Sequence, residues 1–337
     1  GKRDSEVTGV QTCALPILSG VLFRSAGRKY FCTLSAGYAG YPEDGSNYLE
    51  LLKSANYSLE YSKIMGKNRM TVFSRDILAD RERRLELLEL LRESVERGFA
   101  GFTIHYQPQV DTVSGRLCGA EALARWHCTK YGDVSPGEFI PLMEQSGLII
   151  PFGQWILSRG MAQCLEWCRF RPDFQISVNL SYIQLAQGDF ISFLRTALEE
   201  HSLAPSKIIL ELTETYLAKA EEDTLRMIAQ MKELGVKIAM DDFGVGYSSL
   251  FSLKSIPVDV VKIDRGFVKG ITSDLFNATF IRSITDLCHD VGRKVCLEGV
   301  ETEEEYEAVR ELGMEYIQGY YFGRPMSARQ FEDRLKE

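Results

Sequence analysis

This chain of 337 residues has no basic surplus: 39 Lys and Arg stand against 47 Asp and Glu, a formal charge of −8. A non-specific nucleic-acid binder needs a cationic surface to displace counterions from phosphates, so DNA is not an expected partner. No Cys-X-X-Cys pair occurs among the eight cysteines, and Cys164 and Cys168 lie four apart in an apolar stretch with no histidine at ligand spacing. That pattern reads as buried free thiols in a reducing cytoplasm rather than zinc ligands or disulfides. No apolar run reaches the roughly 20 residues of a membrane span; the longest, residues 13–23, is broken by Pro16 and Gly20. A membrane segment is therefore not expected, and a cytoplasmic location is. The remaining composition, 45% hydrophobic and 26% charged, is that of a folded globular protein long enough for one large domain and a smaller piece.

The first residues stand apart. "VTGVQTCALPI" resembles the translation of a sequencing-adapter oligonucleotide and "LFRS" at 22–25 its end in another frame, so residues 1–26 are set aside from fold reasoning as non-native. From residue 29 an alternating strand closes on a Pro-Glu-Asp-Gly turn, residues 46–65 carry helical apolar spacing, and "GKNRMTVFS" reads as a hairpin end and final strand. Leu85, Leu88, Leu91 and Val95 then form one stripe among alternating charges, a linker helix over 77–98.

From Phe102 onward eight strand-like runs alternate with helices: "FTIHYQPQV", "LCGAEALARW", "QISVNLS", "KIILELTE", "VKIAMDD", "VDVVKID", "RKVCLEG" and "MEYIQG". Such alternation predicts a closed, TIM-like β/α barrel. In "SPGEFIPLMEQSG" Ser135 is the expected N-cap, Pro136 the first helical residue and Gly147 the stop. The C-terminal ends of the runs carry Glu121, Asn179, Glu211, Asp241 with Asp242, Lys262, Glu298 and Gln318. A barrel converges those ends on one mouth. Carboxylates so gathered repel one another unless cations sit among them, and an all-oxygen set suits Mg²⁺ or Mn²⁺. Adjacent strand residues normally face opposite ways; at a strand terminus that turns into "FGVGYSS", both Asp241 and Asp242 can reach the mouth. Capping of the following turn accounts for one aspartate and leaves the other unexplained.

The motifs "YQPQV", "GAEALARW", "SPGEFIPLMEQSGLI", "SVNLS", "ELTET", "DDFGVGYSSL", "PVDVVKID", "LEGVET" and "QGYYFGRP" resemble, in order and spacing, the EAL-domain phosphodiesterases of bacterial cyclic di-GMP signalling. The resemblance implies a TIM-like barrel over 99–337 whose first strand runs antiparallel to the rest, hydrolysing cyclic di-GMP to linear pGpG with two divalent cations, Mg²⁺ or Mn²⁺. Carried over by motif, Glu121, Asn179, Glu211 and Asp241 resemble ligands of the first ion. Asp242, with Asp241 shared, resembles a ligand of the second, and Glu298 a further metal-site carboxylate. Lys262 resembles the group that orients or deprotonates the attacking water; a lysine beside cations has its pKa lowered toward working pH. Arg125 resembles the arginine that holds a substrate phosphate, with a structural salt bridge as its plain alternative. Gln107 and Gln318 resemble substrate-side residues, Glu214 the anchor of the loop after Asp242, and Glu301 a supporting residue. A homodimer through the barrel is a further family expectation.

Residues 27–76 resemble the last part of a GGDEF domain, the diguanylate cyclase module, through "TLSAGYAGYPEDG" and "LLKSANYSLEYSKIMGKNR". This implies a truncated α+β fragment, and with the GGDEF signature absent and Asn56 in place of the usual aspartate, no cyclase activity is expected. Within the barrel the resemblance departs at Val245, where the loop usually carries threonine, and at Leu297 and Met143, where alanine is usual. None of these removes a metal ligand. The reading set against hydrolysis is a non-catalytic cyclic di-GMP receptor, and more remotely an unrelated metal-dependent barrel hydrolase.

Overall fold

A computed structural model of the chain describes residues 22–25, 28–31, 33–186, 189–218, 222–245, 253–254 and 256–336, the strands at 22–25 and 28–31 by backbone alone. Contacts divide the chain into two compact units, Gly1–Glu89 and Leu90–Glu337. The division falls inside the helix Arg75–Glu96, where the linker helix is predicted. In the first unit β1 (Leu22–Ser25) pairs antiparallel with β2 (Arg28–Phe31). β1 lies in the segment set aside as adapter-like, whose residues 1–21 fall outside the described ones.

β3 (Ala36–Tyr38) and β4 (Met70–Val72) are parallel, which corrects the hairpin reading of residues 66–74. The helix Tyr48–Ile64 joins them, the crossover that a parallel pair needs. The left-handed residues Gly66, Lys67 and Asn68 thus turn a helix, not a strand, back toward the sheet. That helix lies directly on β3, because Gly37 has no Cβ: one built there would come within 2.0 Å of the Ala55 carbonyl oxygen. Its packed face is Ser54, Ser58 and Ser62, and Ser62 Oγ is 2.8 Å from Ala36 O and 2.6 Å from Thr71 Oγ1.

The second unit is built on β5 (Phe102–Asp111), β6 (Leu117–Cys128), β7 (Gly132–Val134), β8 (Gln175–Asn179), β9 (Ile208–Thr213), β10 (Lys237–Phe243), β11 (Val260–Ile263), β12 (Lys294–Glu298), β13 (Tyr316–Gln318) and β14 (Met326–Ser327). A ring runs from β5 through β6 and β8 to β13 and back to β5, with β7 and β14 as short additions. β5 is antiparallel to both β6 and β13, whereas the pairs from β6 to β13 around the ring are parallel. This is the closed β/α barrel that the alternation predicts, with the reversed first strand that the family resemblance implies. Helices between the strands form the outer layer. The one starting at Pro136 begins and ends as expected: Ser135 Oγ accepts from Gly137 N at 3.2 Å, and Gly147 is left-handed at φ 76°.

Because the strands are covered inside and out, most of their residues are buried whichever way they face. The outer layer carries an aromatic cluster in which Phe102 stacks on Trp126 at 5.5 Å and meets Phe139 edge-on at 5.5 Å, while Phe139 meets Phe152 at 6.1 Å. The six described cysteine thiols, Cys164 and Cys168 among them, are free. Among the described residues no helix is long and apolar enough to cross a membrane.

Phe139 is 0% exposed, so Phe139→Ala leaves a cavity between barrel and helix. It is expected to lower stability by about 3–5 kcal/mol, read as a shift of the urea midpoint. Leu275→Ala, at a residue 81% exposed, is expected to stay within about 0.5 kcal/mol.

Candidate active site

Strand register assembles the mouth. Gln107 on β5 lies opposite Glu121 on β6, Asn179 on β8 opposite Glu211 on β9, and Glu298 on β12 opposite Gln318 on β13. Paired residues share a face, so the two side chains of each pair point the same way. The two aspartates come from an irregularity. The register between β10 and β11 shifts between Met240 and Phe243, and Asp242 takes the left-handed φ of 55°. Alternation is broken there: Asp241 turns onto Lys262 and Asp242 onto the cavity above it. A non-glycine residue in that region is strained unless its surroundings hold it.

Lys262 stands at the centre. Its side chain is 2% exposed, and its Nζ lies 2.7 Å from Glu211 Oε2, 2.7 Å from Glu298 Oε1, 3.2 Å from Asp241 Oδ1 and 3.5 Å from Glu121 Oε2. Burial alone would lower the lysine pKa, but the surrounding carboxylates, Glu121 foremost, hold it well above its ordinary value. Against protein charges alone Lys262 is therefore an ammonium; the lowering expected from the sequence is that of a lysine beside bound cations.

The carboxylates respond unequally. Burial pushes Glu121 up, yet Lys262 together with the Gln318 and Asn179 amides brings it below its ordinary value. Asn179 Nδ2 donates to its Oε1 at 2.7 Å and Gln318 Nε2 to its Oε2 at 2.6 Å. Glu211 is raised well above the ordinary value by burial, with Lys262 opposing and the negative charges of Glu121 and Asp241 adding to the rise. Glu298 is pushed up to about 7, by burial first and then by Asp241 and Glu121, with Lys262 opposing. Asp242 is raised by burial and by Asp241 and Asp264.

Among the described residues no three or more acidic, histidine or cysteine side chains form an open metal-binding group, because the carboxylates close on the Lys262 ammonium instead. The donor set nevertheless fits a hard cation. Glu211 Oε1 and Asp241 Oδ1 are buried without a hydrogen bond, the latter within ion-pair distance of Nζ but not aligned with it. One ammonium also leaves these carboxylates and Asp242 with excess negative charge, which an oxygen-seeking divalent ion offsets.

Above the cluster a cavity of about 350 Å³ is lined by, among others, Gln107, Glu121, Asp242, Glu298, Glu301 and Gln318. Arg125 stands beside it, half-buried; its Nη1 donates to Ala124 O at 2.8 Å, and among the described residues it has no ion pair, so the salt-bridge alternative has no partner here. Glu214 follows the C-terminal end of β9 as the first residue of the short helix Glu214–Leu217, and its Oε2 accepts from Gly244 N at 3.0 Å, holding the loop after Asp242. Gly244 is a turn glycine at φ 101°; Gly246 and Tyr247 lie outside the described residues.

Sequence reasoning missed Gln109, Asp264, Arg265 and Tyr320. Gln109 Nε2 donates to Gln318 Oε1 at 2.9 Å, and Gln318 Nε2 lies 3.2 Å from Gln107 Oε1. The alternation in "YQPQV" already puts Gln107 and Gln109 on one face. Asp264, Arg265 and Tyr320 line the cavity from loops, where no periodicity announces them; Tyr320 is backed by Arg324, 4.2 Å from its ring centre.

A carboxyl whose pKa is raised on folding binds its proton more tightly folded than unfolded. The stability it contributes is full below the ordinary carboxyl range and is lost as pH rises through its folded value, about 7 for Glu298. Glu121 shifts the other way and matters only below its ordinary value of 4.5. In chelator, the urea midpoint is therefore expected to fall from pH 5 to pH 7.5, and Glu298→Gln to flatten that slope; a midpoint that rises contradicts the assignment.

The EAL domain model matches residues 89–325. Over 297 residues the chain is 39% identical to the bifunctional diguanylate cyclase/cyclic di-GMP phosphodiesterase MucR of Pseudomonas aeruginosa, covering 88% of this chain and 43% of MucR. It is 33% identical to the cyclic di-GMP phosphodiesterase PdeR of Escherichia coli, covering 92% of this chain and 46% of PdeR. The chain thus spans less than half the length of these relatives. Among solved structures, that of the PaMucR phosphodiesterase in complex with c-di-GMP is similar at 40% identity and a TM-score of 0.68, covering 73% of this chain and 99% of that one. An EAL domain protein of Listeria monocytogenes is similar at 31% identity and a TM-score of 0.62, covering 74% and 96%. With the reversed first strand, the acidic barrel mouth and the match over 89–325, the chain belongs to the EAL domain family.

Proposed function

We propose that this chain hydrolyses cyclic di-GMP to linear pGpG. The observation that carries the reading is the buried Lys262 ringed by Glu121, Glu211, Asp241 and Glu298 beneath an open cavity, in a chain whose relatives are named for that activity. Glu121, Asn179, Glu211 and Asp241 would hold one divalent cation, and Asp242 with the shared Asp241 a second, Glu298 standing beside them. Bound there, such cations would offset charge developing on the phosphodiester and lower the pKa of the attacking water. The all-oxygen donors accept Mg²⁺ and Mn²⁺ alike.

The chain's own residues do the rest. Lys262 Nζ carries three N–H donors, enough to tether carboxylates and to orient a water at the cluster. Arg125, which makes no ion pair among the described residues, would take a substrate phosphate as a planar fork. Gln107 and Gln318 form the substrate-side amide wall, in which Gln318 donates both to Gln107 and to Glu121 and helps hold Glu121 ionised. Glu214 anchors the turn after Asp242, and Glu301 lines the cavity rim.

We read residues 27–76 as the remnant of a GGDEF domain, residues 77–98 as the linker helix and residues 99–337 as the phosphodiesterase domain. The 297-residue match to MucR supports the remnant, being too long to fit within residues 89–337. A cytoplasmic location and a homodimer through the barrel belong to the same reading. The large apolar residues exposed on the second unit, Leu275 at 81% and Phe276 at 67%, support a dimer.

Incubation of the purified chain with cyclic di-GMP and Mg²⁺ or Mn²⁺, followed by chromatography, is expected to yield pGpG, and EDTA to abolish it. Lys262→Met is expected to lower kcat by about 100-fold or more, and Glu121→Gln to weaken cation dependence as well as rate. Binding without product would replace hydrolysis with the receptor reading.

A further inference from the structure

The strained turn at Asp242 is held by groups that the site chemistry does not use. Gly244, two residues on, is gripped from two sides. Its N–H donates to Glu214 Oε2 at 3.0 Å. Its Cα lies against the Phe267 ring, so closely that a Cβ there would come within 2.4 Å of Phe267 Cε2 and 2.8 Å of Cζ. The ring is carried to that spot by the chain leaving β11. Asp264 N donates to Phe243 O at 3.3 Å, and Asp264 Oδ1 caps the short turn Arg265–Phe267 through Gly266 N at 2.8 Å. Behind it, Phe267 stacks on Phe280 of the helix Leu275–Asp290, ring centres 4.1 Å apart and planes 11° from parallel.

A non-glycine residue at φ 55°, such as Asp242, keeps that conformation only where its surroundings over-determine it. Here one polar clamp and one aromatic clamp do so. The geometry points to Phe267 as a positioning residue for the two aspartates. Through Gly244 it fixes the turn that aims Asp241 and Asp242 at the mouth, and thereby sets the affinity of the site for divalent cations. This rests on the proposed cation-dependent function but concerns an aromatic residue that touches neither cation nor substrate. Removal of the ring lets Gly244 move toward the space it leaves. Asp242 then relaxes out of the left-handed region, while the barrel strands, held by their own ladders, remain.

The test is a Mn²⁺ titration of the purified chain, following the free-ion electron paramagnetic resonance signal, which needs no turnover. Support of a metal site from outside its ligands is typically worth 10–100-fold in affinity. Phe267→Ala is therefore expected to weaken Mn²⁺ binding by about tenfold or more. KM for cyclic di-GMP at saturating Mn²⁺ is expected to stay as in the wild type, and Phe267→Tyr, which keeps the ring face, to restore binding. Gly244→Ala is expected to weaken binding on its own but less than additively in the Phe267→Ala background, since its Cβ then has no ring to strike.

If Phe267→Ala lowers the melting temperature with Mn²⁺ affinity unchanged, Phe267 is packing alone and the inference falls. If that variant does not fold, Phe267→Leu, which keeps bulk without the flat face, is titrated instead, and wild-type affinity there overturns the inference too. A wild-type chain that binds no Mn²⁺ overturns the cation-dependent reading itself, whereas wild-type binding equal to that of Phe267→Ala overturns only the role of Phe267.

Discussion

The barrel mouth depends on one buried positive charge. An ammonium taken from water into a protein interior costs several kcal/mol even after relaxation, and Lys262 at 2% side-chain exposure bears that cost in full. Only partners already fixed in place can offset it. Glu121, Glu211, Asp241 and Glu298 come from β6, β9, β10 and β12, and each reaches Nζ within 3.5 Å. A slip of one residue in any of these strands would turn its acid to the outer layer and leave the lysine short of charge. The cluster therefore specifies register as well as chemistry, which is a use of buried ionic groups distinct from net stability.

The reversed strand β5 also serves the electrostatics of the site. At the site its contributions are the amides Gln107 and Gln109, not acids. The chain from Gln109 to Gln318 ends in a neutral donor on Glu121, 2.6 Å from Oε2. A further carboxylate at that place would raise Glu121 alongside Glu211 and Glu298. The amide keeps Glu121 on the ionised side while its neighbours are driven toward protonation. Within one cluster, neutral amides and Lys262 thus hold Glu121 below its ordinary value while burial holds Glu211 and Glu298 above theirs.

How much of this was legible in the sequence depends on whether the signal was local. The eight runs of the ring, the reversed first strand implied by the family resemblance and the cap pair Ser135 and Gly147 could all be read, since periodicity and end residues are local properties. Residues 66–74 could not be read as they fold: a short apolar run beside a Gly-Lys-Asn turn looks the same whether it pairs with a hairpin partner or, as β4 does, in parallel across a helix. Glu121 and Glu211 were nominated on the strand runs, and Glu214 and Glu301 outside them through the family resemblance alone, whereas Asp264, Arg265 and Tyr320 carry neither signal and were not nominated. The charge state of Lys262 among its protein neighbours is a further property that was not legible, since it depends on how many carboxylates reach one nitrogen, a three-dimensional count that spacing along the chain does not carry.

The departures from the family pattern become interpretable once the turn after β10 is seen to be held through its backbone. Val245 is 66% exposed, and its contribution to the turn is its N–H, donated to Asp242 O at 3.3 Å. Gly244 likewise offers its N–H to Glu214. Neither contact uses a side chain at 245, so replacing a threonine hydroxyl there leaves the described part of the turn intact. Leu297 and Met143 are both 0% exposed and lie in apolar layers, Leu297 in register with Ile263 and Ile317. There they add apolar volume where alanine is usual, and in a close-packed layer that extra volume is matched by neighbouring side chains. The three departures therefore alter a surface and two packing layers, while the charges around Lys262 and the strands that deliver them stay as the chemistry requires.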